Sequence, residues 1–182
     1  MSSKPDYVRE VLISHEEIVD YCAQLARNIE TQYEGKNLTL VCVLKGSIPF
    51  LAELAQHFTR PDVIFEYIRV STYEGKTIER TREAIISSST FDSLAGQHVI
   101  IIEDIIDTGL TIAAIHEKLL TYNPESIKVA TLLDKSARRV VQWQPDFVGF
   151  AIPNEFVVGF GLDFDEKYRN LKDIIIPYPE KL

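Results

Sequence analysis

Cysteine is scarce. The 182 residues hold two, Cys22 and Cys42, without a CxxC spacing, which matches neither a zinc site nor a secreted disulfide scaffold and leaves both to be read as buried thiols. Basic residues are also in deficit: 19 Lys plus Arg against 27 Asp plus Glu give a formal charge of -8 and a pI near 5.0. That balance argues against a broad nucleic-acid surface. It leaves anionic small substrates open, because one local basic group or a metal ion can override the net field. No window approaches the ~18 continuous apolar residues of a membrane span, and Met1 to Asp6 contains no apolar signal core, so the expectation is a soluble cytoplasmic protein without a membrane partner. Low-complexity tracts, internal repeats and Pro/Ser-rich linkers are missing as well, which predicts a single domain over residues 1–182, continuous from Leu12 to Pro177. With 46% apolar residues, a chain of this length buries roughly 70% of its unfolded surface and needs no staple.

What is present alternates between two periodicities. Ser14-His15-Glu16-Glu17 is a capping box, and Ile18, Cys22, Leu25 and Ile29 recur on one helical face, predicting a helix from Ser14 to about Tyr33, ended by Gly35. Leu38 to Leu44 is a short run of the kind that sits inside a parallel sheet. A helix follows through Phe50, Leu51, Leu54, Ala55 and Phe58, with Pro49 in its first turn. Further strands are predicted over Val63–Ser71, Ala84–Ser88, His98–Ile102, Lys128–Leu133, Phe147–Ile152, Phe156–Phe160 and Asp173–Ile176, and a helix after Leu110 running to about Tyr122. Thr72 to Arg82 is polar and aperiodic and reads as a long loop. Strands separated by helices and long connections define an α/β protein with a parallel, doubly wound sheet. In such sheets the ligand crevice lies beyond the carboxyl ends of the strands.

Three carboxylates, Glu103, Asp104 and Asp107, fall within five residues at the end of the most apolar strand. Like charges so close call for something positive or hydrogen-bonding between them: ribose hydroxyls, a divalent cation, or both. A solvated loop in which Asp107 or Thr108 caps the next helix is the plain alternative. Gly109, the hydroxyls of Thr108 and Thr111, and the N-terminus of the following helix add a phosphate cradle that capping does not require. The loop is not a Walker A, and it differs from the DxDx[TV] motif of haloacid-dehalogenase phosphatases because Ile106 stands where the second Asp belongs. Carboxylates for a sugar diol beside donors for a phosphate suit a phosphorylated ribose.

Val99 to Thr111 resembles the thirteen-residue ribose-donor motif of type I phosphoribosyltransferases. Leu44-Lys45-Gly46, Thr72-Tyr73, Leu132-Leu133-Asp134-Lys135, Pro145 to Phe150, and Phe156 to Asp163 with Tyr168-Arg169 resemble, in family order, segments of the hypoxanthine-guanine phosphoribosyltransferases. The resemblance covers about Leu38 to Arg169. It implies displacement of pyrophosphate from C1′ of 5-phosphoribosyl 1-pyrophosphate by a ring nitrogen of a 6-oxopurine, with Mg²⁺ as cofactor. Glu103 and Asp104 would hold the ribose hydroxyls directly or through the metal, Asp107, Thr108, Gly109, Leu110 and Thr111 the 5′-phosphate, and Asp107 would also be the general acid/base at purine N7. Lys45, Gly46 and Arg169 would take pyrophosphate, with a cis Leu44–Lys45 peptide. Thr72 and Tyr73 would belong to a lid; Lys135 would donate to O6, Phe156 would stack on the ring and Val157 would offer backbone contacts. Asp163 would border the purine and hold a second Mg²⁺. The family's fold adds a small hood built from the chain ends, and a homodimer or homotetramer is expected. Thr72 departs from the usual lid Ser, and Leu110 stands where some members carry a basic residue.

Some proteins of this fold are regulators that use the phosphoribosyl site only as a sensor. Such a regulator needs a DNA-binding extension or a basic face, and the acidic balance favours the enzyme. A phosphatase or kinase fits less well still.

Overall fold

The computed structural model describes residues 5–74 and 82–182, and only the backbone for 71–74 and 82–88. Its centre is a six-stranded sheet of order β4-β3-β2-β5-β6-β7, built from β2 (Leu38–Leu44), β3 (Ile64–Glu74), β4 (Arg82–Ser89), β5 (His98–Ile106), β6 (Ser126–Asp134) and β7 (Phe147–Ala151). All pairings are parallel except β3 with β4. Strand period decides the two faces. Leu40 and Cys42 of β2 with Ile100 and Ile102 of β5 pack against α1 (His15–Gln32) and α2 (Ile48–Ala55). Val41 and Val43 with Val99 and Ile101 point the other way, toward α3 (Leu110–Leu120). Both cysteines are fully buried, and burial pushes each thiol up to about 12.

Ser14 caps α1 as expected: its side chain accepts from the Glu17 N–H while Glu17 bonds back to the Ser14 N–H. Pro49 occupies the first turn of α2, where its missing N–H costs nothing.

Four expectations need correction. β5 runs to Ile106, so Glu103 and Asp104 lie on the strand rather than after it. Thr72, Tyr73, Glu74 and Arg82 are the paired arms of an antiparallel ladder, with Tyr73 opposite Glu83 and Glu74 opposite Arg82; the rest of the predicted loop, 75–81, lies outside the described residues. Phe156–Phe160 is not a strand. The backbone turns left-handed at Gly159, Phe160 and Gly161, which breaks a continuous ladder, and only isolated bridges form there, Val158 to Ile175 and Gly159 to Leu162. Finally, β1 (Val8–Ile13) was not anticipated; it pairs antiparallel with β8 (Ile174–Pro177) in a separate two-stranded sheet. Val8, Val158 and Ile175, with Tyr7, Tyr168 and Leu171 against them, form the small core of this hood.

Candidate active site

Chain order reverses direction between β2 and β5: β2 leads to β3 on one side, and β5 leads to β6 and β7 on the other. The carboxyl ends of these two neighbours therefore open a crevice at the switch point. β2 delivers Lys45 and Gly46 there, through a cis Leu44–Lys45 peptide; β5 delivers Glu103 to Asp107.

The two ends touch. A Cβ on Gly46 would lie 1.7 Å from Asp104 Oδ2, and one on Gly161 would lie 1.9 Å from the Gly46 carbonyl oxygen, so bare backbone at both positions lets the hood segment close on the β2 loop. Ser47, which the sequence did not single out, is fully buried, and its Oγ accepts the Asp104 N–H at 2.9 Å. Across this contact, Lys45 Nζ pairs with Glu166 at 2.7 Å, and Arg169 is held by the Gly161 carbonyl at 2.7 Å and by Asp163 at 2.9 Å. Lys45, Gly46, Asp104, Asp163 and Arg169 are thus brought together, with Glu166 as an unanticipated bridge between the two cations.

Electrostatics follow from the burial of acids beside acids. Glu103 is 8% exposed, and its Oε2 has no hydrogen-bond partner among the described residues. Burial, then the neighbouring Asp104 charge, raise its carboxyl well above the ordinary range. Burial also pushes Asp104 up to about 6, against the opposing pull of the Ile105 N–H and Arg169, while Asp163 adds to the rise. An unfolded Asp ionises near 3.8, so on raising the pH the unfolded chain sheds this proton first. Stability falls between about pH 4 and pH 6, and the deficit persists above. Asp104→Asn is therefore expected to melt higher than the parent at pH 7.5, without Mg²⁺ or substrate, with the advantage shrinking as the pH drops from 6 to 4; each kcal/mol is worth roughly 2–4 °C at this size. Thermal melts over that pH series check it, and equal melting temperatures throughout would mean that Asp104 is solvated.

Beyond β5 the chain forms a cavity of about 80 Å³ lined by Glu103, Asp107, Thr108, Gly109 and Thr111. Gly109 takes φ +84° and stands as N-cap of α3, a conformation that costs a glycine little. Gly109 supplies no side-chain cap and the first turn carries no acid; Thr108 Oγ accepts the Leu110 N–H at 3.4 Å, and the helix's positive end is left to the cavity. Leu110 is exposed at 38% and offers only its backbone.

Asp107 Oδ2 accepts from Arg138 Nη1 at 2.8 Å, whereas its Oδ1 is buried without a partner among the described residues. Lys135 is 7% exposed and sits at the start of a 3-10 turn over Ser136–Arg138, its N–H bonded to the Ile106 carbonyl at 2.9 Å. Lys135 is thereby tied to the strand end that leads into Asp107. Arg138 and Arg139 were missed, although their place one turn beyond Lys135 was a usable signal. Arg139 pairs with Asp134 and lays its side chain against Gly109.

Val157 is buried in the main core. Phe156 is 48% exposed, in an edge-to-face contact with Phe164 at 5.9 Å between ring centroids, and lines a hood cavity with Phe164, Ile176 and Leu182. For Thr72 and Tyr73 the backbone alone is described, at the outer end of β3. Among the described residues no three His, Cys, Asp or Glu side chains form a ready metal cage.

An acidic strand end, a phosphate-sized cavity on a helix N-terminus and a Gly loop facing them make a site for a phosphorylated sugar carrying further anionic groups. The family model of the phosphoribosyl transferase domain matches residues 10–165, and the chain belongs to that family. Over 164 residues it is 43% identical to a hypoxanthine-guanine phosphoribosyltransferase of Streptococcus thermophilus, covering 90% of each chain. It is 42% identical to one of Lactococcus lactis, covering 95% of this chain and 93% of that one. Among solved structures, a hypoxanthine phosphoribosyltransferase of Staphylococcus aureus superposes with a TM-score of 0.89 at 39% identity, covering 96% of this chain and 94% of that one.

Proposed function

We infer that the chain is a purine-salvage enzyme that transfers the phosphoribosyl group of 5-phosphoribosyl 1-pyrophosphate to hypoxanthine or guanine, giving IMP or GMP and pyrophosphate. The observation that carries this reading is the pair of buried oxygens without a partner among the described residues, Glu103 Oε2 and Asp107 Oδ1, both on residues lining a cavity at the N-terminus of α3. Buried oxygens without partners need a ligand to complete them, and a ribose 5-phosphate supplies both hydroxyls and phosphate. The regulator reading is not favoured, since the relatives that match over nine-tenths of the chain are named as transferases.

In the reaction the C1′–O bond to pyrophosphate breaks as a purine ring nitrogen bonds to C1′, through a ribosyl-cation-like state. Glu103 and Asp104 hold the ribose hydroxyls; Asp107, Thr108, Gly109, Leu110 and Thr111 hold the 5′-phosphate. Lys45 and Gly46 hold pyrophosphate, and Arg169 joins them by exchanging its present carboxylate partners for it. Lys135 donates to the 6-oxo group, Phe156 stacks on the ring, and Val157 offers backbone polar groups at its rim. Asp107 takes the N7 proton as the ring becomes cationic. Thr72 and Tyr73 act at the base of a lid that excludes water.

Family members generally use Mg²⁺. The acid set here suits it: this ion is held by one or two carboxylates together with substrate phosphates rather than by an all-protein cage. Glu103 and Asp104 would hold one ion, and Asp163, beside the purine, a second; when bound, the metal neutralises the departing pyrophosphate.

We further propose that residues 1–182 act as a single domain, in the cytoplasm, as a homodimer or homotetramer, with small-molecule substrates and no nucleic-acid or membrane partner. No helix of the described residues is long and apolar enough to cross a membrane. The direct test is a spectrophotometric assay with ribose donor, Mg²⁺ and either hypoxanthine, guanine or xanthine. Nucleotide is expected from hypoxanthine or guanine; no product from any base, with nucleotide binding retained, would return the regulator reading.

A further inference from the structure

Arg138 forms the one ion pair that Asp107 makes among the described residues. The pair is half in solvent, with side-chain exposures of 51% and 31%, and ion pairs so placed contribute little to folding. Stability is therefore a poor reason for its geometry. The same short segment is tied to the phosphate loop twice more: the Val140 and Val141 N–H groups both donate to the Thr108 carbonyl, at 2.9 and 3.2 Å. It is tied to Lys135 as well, whose carbonyl accepts the Arg138 N–H at 3.2 Å.

We propose that Arg138 is a positioning residue that engages Asp107 Oδ2 and thereby turns the buried, unpartnered Oδ1 toward the purine. A free carboxylate rotates about its Cβ–Cγ bond and can present either oxygen. Fixed on one side by a guanidinium N–H, it presents one. Because Arg138 closes the 3-10 turn that Lys135 opens, the group that reads the 6-oxo position and the group that orients the base move as one unit. The proposal rests on Asp107 being the general base.

A four-way comparison of the parent, Arg138→Gln, Asp107→Asn and the double variant separates the two ideas. Arg138→Gln is expected to lower kcat about tenfold while the donor KM stays within about twofold and the melting temperature within a degree or two. Arg138→Lys should recover part of the loss. In the Asp107→Asn background, Arg138→Gln should change the rate less than twofold, since the oxygen it orients no longer accepts a proton. An equal loss in both backgrounds, or a raised donor KM, would mean that Arg138 serves an anion of the substrate and would overturn the proposal. If Asp107→Asn costs about 10² and Arg138→Gln costs nothing, the proposal falls while Asp107 keeps its role. If Asp107→Asn itself costs nothing, both fall.

Discussion

Asp107→Asn is expected to lower turnover with hypoxanthine by about 10² or more, the usual range for loss of a general base, while the donor KM changes much less. Of the three carboxylates, Asp107 alone lies within the phosphate loop, where the incoming purine approaches C1′. Attack makes the ring cationic and its N7 proton acidic, and Oδ1, buried without a partner among the described residues, would accept it. Asn keeps the shape and the contact to Arg138 through its carbonyl oxygen, but has no basic oxygen to receive a proton. Substitution by Asn therefore isolates proton transfer from loop shaping, and Asp107→Ala removes both. Steady-state rates with saturating Mg²⁺ check it. Turnover of Asp107→Asn within about threefold of the parent would leave Asp107 as a loop-shaping residue.

How much of this was readable before any coordinates depends on how local each signal is. β2 and the start of β5 are continuous apolar runs buried on both faces, and α1 carries its own capping box, so their identity needs no distant partner. β1 escaped because it is short and mostly outside the core, with only Val8 and Ile13 buried, and its partner lies more than 160 residues away at β8. The outer ends of β3 and β4 run past the last β2 partner, Arg69, and pair only with each other, so no apolar run shared with the rest of the sheet marks them. At Phe156–Phe160 the apolar pattern was real but reflected hood packing, on a backbone that turns left-handed at two glycines and the Phe between them. For the site, the contiguous motif is what places residues together: Glu103, Asp107, Thr108, Gly109 and Thr111 line one cavity. Ser47, Glu166 and Arg138 were not singled out, because each acts through a partner 31 to 121 residues away; only Arg138, one turn beyond Lys135, carried a local hint.

Adenine is expected to be a very poor substrate, with kcat/KM about 10⁴ below that of hypoxanthine. A site built to hydrogen-bond one group rejects the analogue lacking it by roughly this factor. Lys135 is buried at 7% exposure, and among the described residues its side chain makes no ion pair that would turn it away from a ligand. An ammonium donates and cannot accept. Facing a 6-oxo group it gains a charge-assisted bond; facing the 6-amino group of adenine it meets a second donor in a place from which water is displaced, and a buried charge without an acceptor is costly. Lys135→Gln sharpens the test, because the amide offers both a donor and an acceptor at a similar reach. It should lose most of the activity on hypoxanthine and narrow the ratio between the two bases from the hypoxanthine side, leaving adenine little changed. Competition assays with both purines in one reaction measure the ratio directly. Comparable turnover of adenine and hypoxanthine by the parent would move base recognition away from Lys135, and with it the reason that the 3-10 turn joining Lys135 to Arg138 sits over the reacting carboxylate.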